Sequence, residues 1–295
     1  MRVAGAPDIL VDTDGGLDDA IAVRAIAAEQ RLWGVTTTWG AVSAAAAARN
    51  IALAVPDCEV VPGARTPPPA WRVVRMHGLD GAGGTARGRR PAQRPRHHPP
   101  APDVIVRFAR DVPDGTLVCL GPLTNLARAV DADADALAGL RSIVISAGVG
   151  FADRAVRAVA DTNTRGDPRA AAVVTRAVGL PIRWVGLDVS RALVLRVDDL
   201  PARGIGDFAS MRRYGLTRHP AGYGRGWSAP CHDLVAAAAG LDPACAQWRA
   251  ARMRVRSDHT PARVVAVADD AATHLAAYAL DVGRVRGLLR RGSNS

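Results

Sequence analysis

The chain contains no lysine: all 38 of its basic residues are arginine, set against 28 acidic residues for a net charge of +10. A surplus of that sign invites a polyanionic partner. Aromatic residues make up only 4% of the chain, too few for the stacking platform of a single-strand binder. The arginines are scattered, apart from a run between Arg87 and Arg96. Nucleic acid is therefore not expected as a partner, and small ligands are. The four cysteines, Cys58, Cys119, Cys231 and Cys245, show no CxxC spacing, which excludes a disulfide framework and a zinc knuckle. No apolar run approaches the roughly 18 residues of a membrane span, and the opening residues lack the apolar stretch of a signal peptide. The expectation is a cytoplasmic protein with no membrane partner.

What is present reads as globular. Hydrophobic residues make up 48% of 295 and charged residues 22%. The first third alternates strand and helix. Ile9–Val11 is a short apolar strand, a helix follows from about Asp18 to Glu29, and Leu32–Thr38 is a β-branched strand. Ser43 is placed to cap an Ala-rich helix reaching about Val55. The rhythm resumes with strands at Leu117–Leu120, Ile143–Ser146 and Ile182–Val185 and helices at Leu123–Val130 and about Asp167–Val178. Gly222–Pro230 reads as a loop, Cys231–Gly240 as a helix and Thr260–Val267 as a late strand. Such alternation predicts an α/β fold: an open, mostly parallel sheet with helices on both faces. Residues 62–102, rich in Pro, Gly and Arg, show no period and are expected to form a mobile loop. No internal repeat or dividing linker stands out, so residues 1–295 read as one domain.

Four carboxylates, Asp12, Asp14, Asp18 and Asp19, crowd the turn after the first strand. Like charges at that spacing repel unless a cation sits among them. In open α/β sheets, ligands bind at the carboxyl ends of the strands. A helix cap at Asp18 and a turn brace at Asp12 would account for two of these acids, not four. All-oxygen ligation calls for a hard divalent ion, Ca²⁺ or Mg²⁺.

Two families carry a turn of this sort. Haloacid-dehalogenase-type phosphatases read Asp-x-Asp-Gly-Thr here, against Asp12-Thr-Asp-Gly-Gly16. They also require a basic residue, usually lysine, and give Asp18-Asp19 no role. The run Asp12-Thr-Asp-Gly-Gly-Leu-Asp-Asp-Ala20 more closely resembles the fingerprint of the inosine–uridine-preferring nucleoside hydrolases. Four further segments resemble that family's motifs in the same order: His77-Gly-Leu-Asp-Gly-Ala-Gly83, Leu120-Gly-Pro-Leu-Thr-Asn125, Asp161-Thr-Asn163 with Asp167-Pro168, and His232-Asp233.

The resemblance implies a nucleoside-hydrolase-like fold with a Rossmann-like core and a tightly bound Ca²⁺. The implied ligands are Asp14, Asp19, Asp233 and the backbone carbonyl of Leu120. Asp18 and Asn163 match positions that grip ribose hydroxyls, and Asp12 supports the loop. Asp14 is the implied base for the attacking water, His232 the implied proton donor to the leaving base, and His77 a weaker candidate near that base. The implied reaction is Ca²⁺-dependent hydrolysis of the N-glycosidic bond of a ribonucleoside. Family members are commonly homodimers or homotetramers, although no interface signature is visible here.

The chain also departs from the family pattern. Ala41 stands where the family has a site asparagine. Arg154 and Ala155 lie about where a second asparagine is expected, and Asp161 replaces a glutamate. In the family, that second asparagine and the glutamate hold the ribose 5′-hydroxyl. A lost hydrogen-bond partner costs about 1–3 kcal/mol. The metal half of the site therefore reads as intact and the substrate half as altered. Two alternatives remain open: a same-fold hydrolase of a 5′-modified nucleoside or nucleotide, and a non-catalytic ribosyl-binding relative. Arg154, Arg157 and Arg165 flank Asp161–Asn163 and would suit a 5′-phosphate if turned inward. Pro67–Pro100 is expected to act as a lid with His77 near its stem.

Overall fold

The computed structural model describes residues 8–65, 77–89, 91, 98–152, 161–196, 199, 200, 205, 228–256, 262–267 and 272–292. Nine strands form one sheet in the order β10-β9-β11-β6-β5-β4-β1-β2-β3. The parallel part consists of β1 (Ile9–Thr13), β2 (Leu32–Thr37), β3 (Val60–Pro62), β4 (Thr116–Cys119), β5 (Ser142–Ser146) and β6 (Ile182–Val185). Next to it, β11 (His274–Leu280) pairs in parallel with β6. The edge is antiparallel: β9 (Ala246–Arg256) pairs with β11, and β10 (Arg263–Val267) with β9. A separate antiparallel pair joins β7 (Val194–Arg196) to β8 (Ser228–Pro230).

Alternation along the strands sends side chains to opposite faces. Ile9, Val11, Val118 and Val144 pack on one face with α1 (Leu17–Ala28), α2 (Ala44–Ala54), α8 (His232–Leu241) and α9 (Val282–Gly292). Leu10, Leu117, Ile143 and Ile145 pack on the other with α3 (Ala101–Asp111), α4 (Thr124–Ala138) and α6 (Pro168–Thr175). The expected α/β class, with helices on both faces of a mostly parallel sheet, is the observed one.

Several elements differ from the sequence reading. Helix α3 begins at Ala101, within the stretch expected to be loop; Val104, Ile105 and Phe108 supply its buried face. Helix α4 runs on to Ala138, past the expected Val130, through a non-helical residue at Asp133. Ser228–Pro230 is strand rather than loop. Much of the expected lid, the arginines 90, 94 and 96, and Arg154 and Arg157 lie outside the described residues. No helix among the described residues is long and apolar enough to cross a membrane.

Topology places the site. The chain moves from β1 to β2 and β3 in one direction, then returns to β4 on the other side of β1. The carboxyl ends of β1 and β4 therefore border a crevice at a switch in strand order, where ligands of open α/β sheets bind.

Candidate active site

The turn after β1 holds the acids, and each is wired differently. Asp12, 1% exposed, accepts at Oδ1 from Thr36 Oγ1 (2.7 Å) and Asn125 Nδ2 (2.8 Å). It thereby ties β1 to β2 and to the start of α4, while Oδ2 is buried without a partner among the described residues. Burial pushes its pKa up to about 7, against the two hydrogen bonds. Asp14 Oδ2 accepts from the backbone N–H of Ala41 at 2.8 Å. Asp19 accepts from Thr13 Oγ1 and, at 3.0 Å, from Gly16 N, in the first turn of α1. Asp18 keeps 15% of its side chain exposed and lies 3.7 Å from His77 Nδ1.

The distant partner arrives on α8. His232 opens this helix and Asp233 follows. Asp233 Oδ1 accepts from Ser146 Oγ, at the end of β5, at 2.9 Å. Carboxylate oxygens of Asp18, Asp19 and Asp233 lie within 4.8 Å of one another. Burial, then repulsion from Asp18, Asp19 and Asp14, holds the Asp233 pKa well above the usual carboxylate range. Burial and the Asp19 charge do the same to Asp14. Burial followed by the Asp18 charge raises Asp19, and burial raises Asp18 to about 6. Among the described residues no arginine pairs with any of the four. Buried carboxylates with no arginine partner among the described residues form a donor set suited to a hard divalent cation. Asp14 borders this set of three, with one oxygen turned to Ala41.

Two further positions carry backbone bonds that the resemblance does not describe. Asn163 Nδ2 donates to the carbonyls of Leu120 (2.7 Å) and Ser146 (2.8 Å). Both of its amide hydrogens are thus spent bridging the ends of β4 and β5, which leaves Oδ1 as the atom it can offer to a hydroxyl. The Leu120 carbonyl, an implied ligand, keeps its second lone pair. Asp161 caps α5 (Thr162–Gly166) by accepting from Thr164 N at 2.7 Å, and its other oxygen accepts from Gly148 N at 2.9 Å. One methylene shorter than glutamate, it is committed to the backbone. Arg165 is exposed.

The two histidines are held by different elements. His77 Nδ1 accepts from Leu17 N at 3.1 Å, at the start of α1. Burial lowers its pKa, against the pull of Asp19. His232 Nδ1 is 2.9 Å from Ser190 Oγ, at the end of α7 (Leu187–Ser190). Burial, with Arg191 adding to it, lowers its pKa to about 4. Sequence reasoning singled out the acids and histidines but not Thr13, Ser146 or Ser190, which bond Asp19, Asp233 and His232, nor Asn50, which bonds the backbone of Gly15 and Asp80. Thr13 stands inside the acid motif, and Asn125 inside the Leu-Gly-Pro-Leu-Thr-Asn turn, so those two carried a signal.

Residues 9–286 match the family described as inosine-uridine preferring nucleoside hydrolase. The chain belongs to this family. Uridine nucleosidase 1 of Arabidopsis thaliana is 34% identical over 203 residues, which cover 65% of this chain and 60% of that protein. The chain thus matches less than two thirds of that relative's length. The non-specific ribonucleoside hydrolase RihC of Escherichia fergusonii is 32% identical over 72% of this chain and 69% of its own. Among solved structures, the plant nucleoside hydrolase PpNRh1 superposes with a TM-score of 0.82 at 26% identity, covering 98% of this chain and 100% of that one. In this chain the five motifs that carried the resemblance lie within the matched residues 9–286, and the open, mostly parallel sheet is the one they implied.

Proposed function

We propose that the protein hydrolyses the N-glycosidic bond of a ribonucleoside or close relative, releasing base and ribose, with Ca²⁺ as its cofactor. The observation that carries this reading is the convergence of acids from the β1 turn with Asp233 from α8 in one cluster with which no arginine among the described residues pairs. Asp14, Asp19, Asp233 and the Leu120 carbonyl would hold the ion, with Asp18 beside them. A bound Ca²⁺ supplies a Lewis acid that acidifies water and anchors sugar hydroxyls.

The chain's own residues do the rest. Water attacks the anomeric carbon as the bond to the base nitrogen breaks, and Asp14 takes the proton from that water. The carboxylate bed favours the positive charge that develops on the sugar. His232 delivers a proton to the departing base. Its lowered pKa keeps the resting imidazole neutral, so the Nε2–H, fixed when Ser190 donates to Nδ1, hydrogen-bonds the departing base, and full proton delivery requires the ring to be recharged to imidazolium when substrate is bound. Asp18 and His77 bind the substrate from the α1 side. Asn163 acts through the Leu120 carbonyl that it fixes.

The test is ribose release from a panel of nucleosides with and without chelator, with metal analysis of the purified protein. Chelator-sensitive release is the expected result, and Asp19→Ala should lose both ion and activity. Absence of release from every nucleoside would sink the reading and favour a ribosyl-binding protein.

A second reading has its own support. Asp161 is drawn into backbone bonds, and Ala41 offers the site only its N–H. Both changes thin the polar contacts implied for an unmodified sugar, so a substrate altered at its 5′ position fits the same metal half. Comparing kcat/KM for inosine, uridine, their 5′-monophosphates and 5′-deoxy analogues decides this. Clear preference for the unmodified pair removes it.

A further inference from the structure

Asn50 lies in the middle of α2, completely buried, where a polar side chain needs a reason. Its Nδ2 donates twice: to the carbonyl of Gly15 at 3.1 Å and to the carbonyl of Asp80 at 2.7 Å. Only the amide NH₂ can serve two carbonyls, and Oδ1 meanwhile accepts from Arg49 Nη2 at 3.4 Å. Gly15 belongs to the carboxylate turn. Asp80 belongs to the segment that begins with His77. One side chain therefore joins two segments of the site that are 65 residues apart in sequence.

Each joined segment is shaped to receive the bond. Gly15 adopts φ +72°, and a Cβ there would sit 2.6 Å from Cβ of Ala47, one helical turn before Asn50. The turn thus lies flat on α2, in contact with Ala47 and Asn50 together. On the other side, the Asp80 carboxylate gathers its own loop, accepting from Ala82 N (3.0 Å), Gly84 N (2.9 Å) and Ala86 N (3.3 Å). Asn50 holds a pre-wired loop by its backbone. A second polar attachment of that loop to the site is His77, which accepts from Leu17 N and lies beside Asp18.

We propose that Asn50 is a positioning residue: it couples the His77 loop to the carboxylate turn, so that His77 and Asp18 are presented to substrate in fixed relation. This rests on the nucleosidase reading for its kinetic consequence, but not for its structural one. Asn50 touches no substrate in this scheme. It acts through the carbonyls of Gly15 and Asp80.

Two variants of the full-length protein test the coupling: Asn50→Leu, which keeps the bulk and removes both donors, and Asn50→Ala, which leaves room. Amide hydrogen exchange is read at residues 13–17 and 78–86, with kcat and KM measured beside it. Exchange should quicken in both segments together, and KM should rise about fivefold, the scale of one ordinary hydrogen bond, with kcat little changed. In a His77→Ala background the same variants should add almost nothing to KM, because the route through His77 is already gone. A purely structural asparagine would lower Tm while leaving segment-specific exchange and KM alone. That result, full additivity with His77→Ala, or failure of both variants to fold would overturn the proposal. If the wild type releases no ribose, the nucleosidase reading fails while the exchange experiment still decides the coupling.

Discussion

Ser190 Oγ lies 2.9 Å from Nδ1 of His232, joining the end of α7 to the first residue of α8. Ser190 is 2% exposed, so water does not compete for the hydroxyl, whose one proton has two acceptors in reach: the Leu187 carbonyl at 3.4 Å and Nδ1 at the shorter 2.9 Å. A neutral imidazole carries its N–H on only one nitrogen, and the partner at Nδ1 determines which nitrogen can donate a hydrogen bond to the departing base. With Ser190 donating, the proton stays on Nε2. Ser190→Ala removes that control without touching the acids. About 1 kcal/mol of lost orientation corresponds to roughly fivefold in rate. We expect kcat to fall by that factor, with KM and Ca²⁺ affinity unchanged. An equal fall for a substrate analogue whose leaving group needs no proton would contradict the role.

The acid cluster predicts an unusual stability pattern. Asp233 is held far above the ordinary carboxylate range by burial and three neighbouring acids. Without a cation, that repulsion opposes folding. Asp233→Asn keeps an acceptor for Ser146 and removes one charge. In chelator it should melt at or above the wild type. Added Ca²⁺ should then raise the wild-type Tm, by about 2.7 kcal/mol of stability at a hundredfold excess over Kd, and leave the variant unmoved. Calorimetry on both proteins, with and without Ca²⁺, reads this directly. An equal Ca²⁺-induced shift in the two would exclude Asp233 as a ligand.

The parallel half of the sheet was legible because β-branched runs such as Leu32–Thr37 alternate with Ala-rich stretches, and because Ser43 does cap α2, accepting from Ala46 N at 3.3 Å. The antiparallel edge was harder to read. In β9, arginines alternate with Met253 and Val255, a period-2 pattern in a charged stretch. In β11, three alanines carry helix propensity that pairing with β9 and β6 overrides. The acids were visible because like charges at close spacing demand an explanation. Their supports were not, because a buried Ser or Asn has no spacing rule; Ser146 meets Asp233 only after β5 and α8 have packed. Asn163 was assigned by motif alone, and the motif does not reveal that two strand-end carbonyls claim its amide.

His274 carries a pH dependence remote from the site. Trp184 Nε1, a donor only, points at His274 Nδ1 from 3.3 Å, and Nε2 is 3.1 Å from the Ala177 carbonyl. The ring is therefore neutral with its proton on Nε2, and a second proton would face the indole N–H. Burial lowers its pKa below the usual 6.5, against the Ala177 bond. The unfolded chain thus binds the proton more readily than the folded one. This contribution to stability is full above about pH 6.5 and is lost as pH falls toward the folded value. His274→Gln keeps a donor for Ala177 and cannot titrate. The stability gap between wild type and variant should narrow from pH 7 to pH 5 in urea titrations. A gap that is constant across that range would refute the assignment.

Gly40 bears on Asp14 by contact. A Cβ at this position would lie 2.6 Å from both Cβ and Cγ of Asp14, distances that non-bonded carbons do not tolerate. Asp14 cannot swing away, because it is buried and its Oδ2 is held by Ala41 N, the next residue along. Gly40 is itself anchored, its N–H donating to the Val42 carbonyl at 2.9 Å. Gly40→Ala must therefore move Asp14 or the whole turn 39–42 by several tenths of an ångström. A proton acceptor displaced on that scale can cost up to about 100-fold in rate. We expect kcat to fall by one to two orders of magnitude, about 10- to 100-fold, with a smaller loss of thermal stability. Wild-type kcat in Gly40→Ala would mean that Asp14 has slack the geometry does not indicate, and would remove it as the base for the attacking water.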